Sequence, residues 1–453
     1  MGFDVIGSDL RKSHQTLKLE EEGIKVFLGQ KADNIIESKP DVVVYTLAIP
    51  EDNPELVEAK KQGLLCLSRA EFLGLITRSY KSVINIAGTH GKTTTTAMTS
   101  MILIESGTNP TVHLGADLDE FDSGTVHLGD TSKLMVSEAC EYKNSFLNFY
   151  STTAAILNID NDHLDFFGNM DNIIETFVHF ASDLPSEGNL IIPYEGDHIG
   201  TFMEGFRKRR LDKNLTLPNI VTFGPYSPDK AVQPTFYYKD LHYEAGSPKF
   251  AVYYNDSLYR YIKLSIPGQH NVLNALAAIA CAHFNGGTPE AAQKALASFK
   301  GAGGRFQKVG TYRGATVIAD YAHHPTEIEA TLEAAKQVPH RKIWPVCQIL
   351  NYSRAKEQYD RFISVFDDFE DVTFFKIYTT RENDTLGMSA ERFAEEIRAR
   401  GRSAHSANTL EELMAILDKE VEADDIILFL GPDGIREISN ELCQSENGVF
   451  MHF

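Results

Sequence analysis

The stretch Val83–Thr96, VINIAGTHGKTTTT, decides the fold of this chain. Its β-forming residues Val83, Ile84 and Ile86 run into a glycine turn, and Gly91-Lys92-Thr93 follows. Ala97–Leu103 then reads as helix. Strand, glycine loop, Gly-Lys-Thr and helix in that order describe a phosphate cradle. Backbone N–H groups and the helix N-terminus hold anionic oxygens, the lysine reaches the terminal phosphates, and a threonine hydroxyl joins a Mg²⁺ shell. The spacing departs from the usual P-loop pattern, because Ile86 stands where its first glycine belongs. ATP binding on an α/β scaffold is the expectation.

A chain of 453 residues exceeds one ordinary core, so two or three domains are expected. A net charge of −20 argues against duplex nucleic acid or an anionic membrane as the main partner. One basic cluster, Arg207-Lys208-Arg209-Arg210, reads as a solvated helix or loop face. No apolar run approaches the ~20 residues of a membrane span, and nothing reads as a signal segment. The five cysteines are scattered without a CxxC pair, which suggests neither a zinc knuckle nor a disulfide framework. The cytoplasm is the expected location.

Three blocks emerge around the phosphate loop. Residues 1–79 contain candidate strands Phe3–Ile6, Val42–Thr46 and Leu64–Leu67, with a turn at Gly7-Ser8-Asp9 and a helix over Asn53–Gln62. Residues 80–299 add buried-strand candidates Leu134–Ser137 and Ala154–Ile159, a Tyr-rich stretch that suits a small antiparallel sheet (Phe236–Ile266), and a helix over Asn271–Phe284. Residues 300–453 alternate strand and helix from Ala315 to Leu430. Such alternation calls for a mostly parallel sheet covered on both faces.

Ligands collect at the carboxyl ends of parallel strands. Three such ends carry Lys92 with Thr93, then Glu138, then Asp162-His163. A carboxylate and an imidazole near a triphosphate are plausible Mg²⁺ ligands; the alternatives are a strand cap and a turn histidine. His270 and Asn274 lie four apart at a helix start and share a face, suited to a purine ring or to capping. Asp320-Tyr321-Ala322-His323-His324-Pro325 follows another strand end and suits a ligand-facing loop.

Together these pieces resemble the Mur ligases, the ATP-dependent amide-forming enzymes of peptidoglycan precursor synthesis. The segments that carry the resemblance are AGTHGKTTTTAM (87–98), SEACEYKNSFL (137–147), NIDNDHLDFF (158–167), PGQHNVLNALAA (267–278), GRFQKVG (304–310) and DYAHHPTEI (320–328). Tyr352-Ser353-Arg354 adds part of a further motif. The resemblance implies three domains: a UDP-substrate domain, a central ATPase and a C-terminal Rossmann-like domain for the amino acid. It assigns Gly88, Thr89, His90, Gly91, Lys92, Thr93 and Thr94 to the ATP phosphates, and Thr93, Glu138 and His163 to Mg²⁺. It assigns His270, Asn274, Arg305 and Asp320 to the nucleotide. His323, His324 and Arg354 fall near the incoming amino acid, with Lys92, Glu138, His163 and His324 as the catalytic set. Within the family the likeness is to the branch that adds L-alanine to UDP-N-acetylmuramate. Some sister ligases use a carbamoylated lysine after the His-Leu-Asp motif, and Asp165–Ile174 contains no lysine. A ligase that attaches a recycled tripeptide to the same sugar nucleotide, and a truncated relative that binds ATP without catalysing, share these motifs.

Two departures stand out. Where the family has Pro-His-Arg or Pro-His-Thr, this chain has Ile349-Leu350-Asn351, so a basic group expected near the amino-acid carboxylate is missing from the motif. The family's first domain also opens with a strand, glycine-rich turn and helix of ~30 residues before the segment resembling Gly2–Asp9. Without that unit the first domain is expected to be truncated and the least stable part, and the residues left for the UDP-sugar are Ser8, Asp9 and Thr46.

Overall fold

The computed structural model describes residues 2–121, 124–379, 382 and 385–446. A ten-stranded sheet dominates it. Strand Ser82–Ala87 lies in its middle, pairing in parallel with Thr153–Ile156 on one side and Leu134–Glu138 on the other. Beyond Thr153–Ile156 come Asn189–Pro193 and Asn219–Pro225, also parallel. Side chains alternate between two helical layers, as the two-residue period of a strand requires. Ile84, Ile86 and Ala155 pack with Met98 and Leu103 of helix Lys92–Glu105 and with Ala275 and Ile279 of helix Gln269–His283. Ala87, Ala154 and Ile156 face the other way, into a layer containing Phe146, Phe177 and Phe206.

The Tyr-rich stretch forms three antiparallel strands, Phe236–Glu244, Ser247–Tyr254 and Ser257–Lys263, but they are not a separate sheet. Phe236 pairs in parallel with Phe223 and extends the central sheet, because Phe236, Tyr238, Phe250 and Val252 are buried in the same core as the phosphate-loop helix. Arg210 is likewise not part of a solvated face. It is fully buried and donates to the carbonyls of Thr216, Ser182 and Leu184, closing the end of helix Ile199–Asp212.

The third block has a six-stranded sheet (the third sheet) in the order Gln307–Tyr312, Ala315–Asp320, Ile426–Leu430, Ile343–Leu350, Val372–Tyr378 and Ala404–Ala407. All its pairings are parallel except the first. Strand Ile426–Leu430 is buried throughout and alternates between two cores, with Leu428 and Leu430 on one face and Ile427 and Phe429 on the other.

The amino-terminal region is built differently. Ile6–Asp9 pairs with Lys25–Leu28, and Val42–Tyr45 with Leu65–Ser68, as two separate two-stranded sheets. The first strand runs to Asp9 rather than ending at Ile6, because the pairing continues to Leu28 and Gly29 N–H donates to Asp9 O. Ser8 and Asp9 therefore lie in a strand and not in a turn. Ile6, Val42 and Val44 are exposed here, whereas every residue of Val83–Ala87 is buried.

Candidate active site

Glycines shape the phosphate loop at the two places where backbone must pass closely. Gly88 has φ 138°, and a Cβ there would stand 3.0 Å from Leu157. Gly91 has φ 83°, and its Cβ would meet Asn274 Oδ1 at 2.5 Å. Left-handed backbone and close contact both exclude larger residues. Gly91 is also the N-cap of helix Lys92–Glu105 and supplies no side-chain cap, so this helix N-terminus keeps its donors for an anion. The donors just upstream are already used. Thr89 N–H bonds Asn158 O (3.2 Å), His90 N–H bonds Asn158 Oδ1 (2.8 Å), and Asn158 Nδ2 returns a bond to His90 O (3.0 Å). Thr89 Oγ1 accepts from Asp160 N–H. Thr89 and His90 thus brace the loop, and Gly91–Thr94 face the cavity.

Lys92 Nζ donates to Gly88 O (2.7 Å) and Thr89 O (2.9 Å) and pairs with Glu141 at 3.1 Å. Burial would weaken its charge, but the carboxylates of Glu141 and Glu138 outweigh it and raise its pKa. Glu138, at the end of its strand, accepts from Gly115 N–H at 2.8 Å. A Cβ at Gly115 would come within 2.7 Å of the same oxygen, so the carboxylate depends on a glycine opposite it.

Two cavities flank segment 158–163, and the loop lines one of them. One, of about 540 Å³, is lined by His90–Thr94, His270, Asn274, Arg305 and Asp320, so the expected phosphate and nucleotide residues of two sheets meet there. His270 is neutral near pH 7, since burial lowers its pKa to about 4. Asp320 is pushed up by burial and accepts from the N–H groups of Phe306 and Ala322. The other cavity, of about 550 Å³, is lined by Tyr142, His163, His323, His324, Leu350 and Arg354. Burial lowers the pKa of His323 and of His324 to about 4. His163 has φ 56° and its ring lies 4.6 Å from that of Tyr142. Segment 158–163 separates the cavities, with Asn158 and Asp160 on the first and Asp162 and His163 on the second.

The third sheet's helices dock on that partition. Thr326 Oγ1 donates to Asp160 Oδ2 (2.8 Å), His324 Nε2 bonds Asn161 O (3.1 Å), and Arg354 Nη2 bonds Asp162 Oδ1 (2.5 Å). Burial would raise the Asp162 pKa, but the Arg354 charge holds it well below the usual carboxylate range. Among the described residues Arg354 Nη1 is buried without a hydrogen-bond partner.

Ser8, Asp9 and Thr46 line neither cavity. Ser8 Oγ donates to Glu55, Asp9 accepts from Arg11 N–H, and Thr46 accepts from Ala48 N–H. Glu138 also lines neither, though its charge reaches Lys92. Sequence reasoning missed Asn158, Asp160, Glu141, Thr326 and Glu327. All five fall inside quoted motifs, and their pairing across distant strands gave no local signal.

A strand–loop–helix phosphate cradle, joined across a partition to a second polar cavity by a separate parallel-sheet domain, defines a multidomain nucleotide-dependent α/β enzyme that works between two pockets. Comparison with known proteins gives the family. The Mur ligase middle domain matches residues 86–282, the Mur ligase glutamate ligase domain residues 304–432, and the Mur ligase family catalytic domain residues 1–81. The chain belongs to the Mur ligase family. It is 39% identical over 444 residues to the UDP-N-acetylmuramate–L-alanine ligase of Caldanaerobacter subterraneus subsp. tengcongensis, covering 98% of this chain and 92% of that one. To the enzyme of the same name from Clostridium acetobutylicum it is 40% identical over 438 residues, covering 96% and 91%. The crystal structure of the UDP-N-acetylmuramate–alanine ligase of Thermotoga maritima superposes with a TM-score of 0.79 at 27% identity, covering 98% and 94%.

Proposed function

We propose that this chain is an ATP-dependent ligase that joins L-alanine to the lactyl carboxylate of UDP-N-acetylmuramate in peptidoglycan precursor synthesis. The observation that carries the reading is the pair of cavities on either side of segment 158–163. One holds a phosphate cradle, and the other is lined by the Arg354 guanidinium, one of whose buried nitrogens has no hydrogen-bond partner among the described residues.

In this reading the lactyl oxygen attacks the γ-phosphorus in line, giving an acyl phosphate and ADP. Lys92 and the N–H groups of Gly91–Thr94 stabilise the charge on the transferring phosphoryl oxygens. The alanine amine, its carboxylate on Arg354, attacks the acyl carbon, phosphate leaves, and the amine loses a proton. The departing phosphate can take that proton, the neutral rings of His323 and His324 border the cavity without adding charge to it, and domain docking excludes water from the acyl phosphate. Thr93 and Glu138, with His163 from the far side of the partition, would hold Mg²⁺. The glycine-framed Glu138 carboxylate beside Lys92 fits such an ion, which would supply further positive charge to the phosphoryl oxygens.

We assign residues 1–79 to the UDP-sugar, 80–299 to ATP and 300–453 to the amino acid, and we place the reaction in the cytoplasm, where ATP and nucleotide sugars are available. Among the described residues no helix is long and apolar enough to cross a membrane. The test is ADP release and product mass with UDP-N-acetylmuramate and either L-alanine or the tripeptide. Amide formation with L-alanine is expected. Preference for the tripeptide, or ATP binding without ADP release, would overturn the reading.

A further inference from the structure

The imidazole of His90 sits at the nucleotide cavity, but its nitrogens are held by protein carboxylates. Its backbone is part of the loop, yet both ring nitrogens are engaged elsewhere: Nε2 with Asp160 Oδ2 and Nδ1 with Glu327 Oε1, each at 3.1 Å. Asp160 belongs to the partition. Glu327 lies in the first turn of helix Pro325–Lys336, on the far domain and 237 positions along the chain. Thr326 of the same turn donates to the Asp160 oxygen that His90 uses, and Arg361 Nη2 donates to Thr326 Oγ1 at 2.9 Å. The His324 ring packs 4.9 Å from that of His90.

We infer that His90 is a positioning residue, a latch that ties the phosphate loop to the docked third domain and so sets the separation between acyl phosphate and incoming amine. The inference rests on the ligase reading and adds a role to a residue otherwise assigned only to phosphate contact. Three features support it. The His90 amide and carbonyl are both clamped by Asn158, so the ring projects from a fixed backbone beside Gly91 and Lys92 and holds Glu327 at a set place relative to the loop. The ring is the one loop side chain that bonds to groups of both domains, Asp160 and Glu327. Thr326 of the far domain meets the same Asp160 oxygen that His90 holds, so undocking breaks the Glu327–His90 and Thr326–Asp160 bonds together while the His90–Asp160 bond stays within the central domain. His90, Asp160 and His324 also have the spacing of a metal site. Both nitrogens of His90 are already bonded, however, and the latch uses the contacts as they stand.

The test uses the full chain with His90→Asn, Glu327→Gln and the double variant. Calorimetry reads ADP affinity, X-ray scattering reads the size of the ADP-bound protein, and kinetics reads kcat and KM. ADP affinity should stay within about threefold, because both ring nitrogens are already bonded to protein carboxylates and the backbone donors of Gly91–Thr94 are unchanged. Each single variant should lose about 10- to 100-fold in kcat with KM for ATP nearly unchanged, the scale of an ångström-level misplacement. The double should be no worse than about threefold beyond the weaker single, since both remove one link. The ADP-bound variants should be more extended than the parent. Loss of ADP affinity in His90→Asn, multiplicative losses in the double, an unchanged kcat or an unchanged size would each overturn the latch. If His90→Asn fails to fold, Glu327→Gln carries the same test from the other domain. A parent that makes no amide would refute the ligase reading instead, and calorimetry with scattering would still decide the latch.

Discussion

Replacing Lys92 by methionine tests the phosphate loop at two levels. The parent ammonium neutralises Glu141 inside the protein, with side-chain exposures of 13% and 3%. Methionine keeps the stem but leaves a buried carboxylate without its counter-charge and two loop carbonyls, Gly88 and Thr89, without their donor. Breaking a buried pair from one side costs about 3–5 kcal/mol. The retained stem and the neighbouring cavity, which admits water, put this case near the lower end, about 3 kcal/mol. Glu141→Gln should cost less, about 1–2 kcal/mol, because Lys92 keeps both carbonyls. The double variant should recover part of the loss, since no charge is then left unpaired. The single tryptophan, Trp344, lies in the third sheet, so its fluorescence reports the wrong domain. Native-state hydrogen exchange of strand Ser82–Ala87 is the suitable assay. The catalytic effect is separate: loss of a charge on the transferring phosphoryl group should lower kcat by about 10³-fold, roughly 4 kcal/mol. Exchange in Lys92→Met within about 0.5 kcal/mol of the parent, or a double variant no better than the single, would refute the stability argument. Near-normal ADP release would refute the catalytic one.

Three further outcomes are expected. Glu138→Gln and His163→Ala should each raise the Mg²⁺ concentration for half activity more than they lower thermal stability, and parent-like titrations would remove both from the metal site. Burial alone would lower the His90 pKa, but hydrogen bonds and charge from Asp160 and Glu327 raise it to about 9. Its contribution to stability is therefore complete below the ordinary value of about 6.5 and is lost as pH rises through about 9, with His324, neutral, the other titratable ring against it. The Tm gap between parent and His90→Asn should close between about pH 6 and about pH 10, and a constant gap would count against the charged form. Hydrogen exchange should be fastest in Ile6–Asp9 and Val42–Tyr45, because two-stranded sheets are marginal alone; protection there equal to that of Ser82–Ala87 would contradict this.

Much of the architecture was legible because the decisive elements are regular. Ala315–Asp320 and Ile426–Leu430 are the strands their apolar runs suggest, and helix Gln269–His283 begins within two residues of the expected start. What escaped depends on distant partners. The Tyr-rich strands read as an independent sheet because their alternation is local, whereas the Phe223–Phe236 pairing that joins them to the centre is not. Arg210 read as solvated because charge runs usually are, and only the fold brings three carbonyls to its guanidinium. The Lys92–Glu141 pair likewise gives no local signal, because the two are 49 positions apart and meet only in the fold.

The second cavity shows how a local departure in sequence can be answered elsewhere. Leu350 brings an apolar side chain to its wall, and Asn351 turns the chain with φ 68°, its N–H donating to Tyr378 O. Arg354, in the short helix that follows, meets Asp162 of the partition with one nitrogen and leaves the other unpaired. A guanidinium can do both at once because its donors lie in a fixed planar fork, which an ammonium cannot imitate. Asp162 fixes the orientation of the fork, and docking the third domain is what brings Asp162 to it. On the ligase reading, binding of the amino-acid carboxylate by Arg354 would therefore be tied to closure of the domain interface, since Asp162 holds the guanidinium from the other domain.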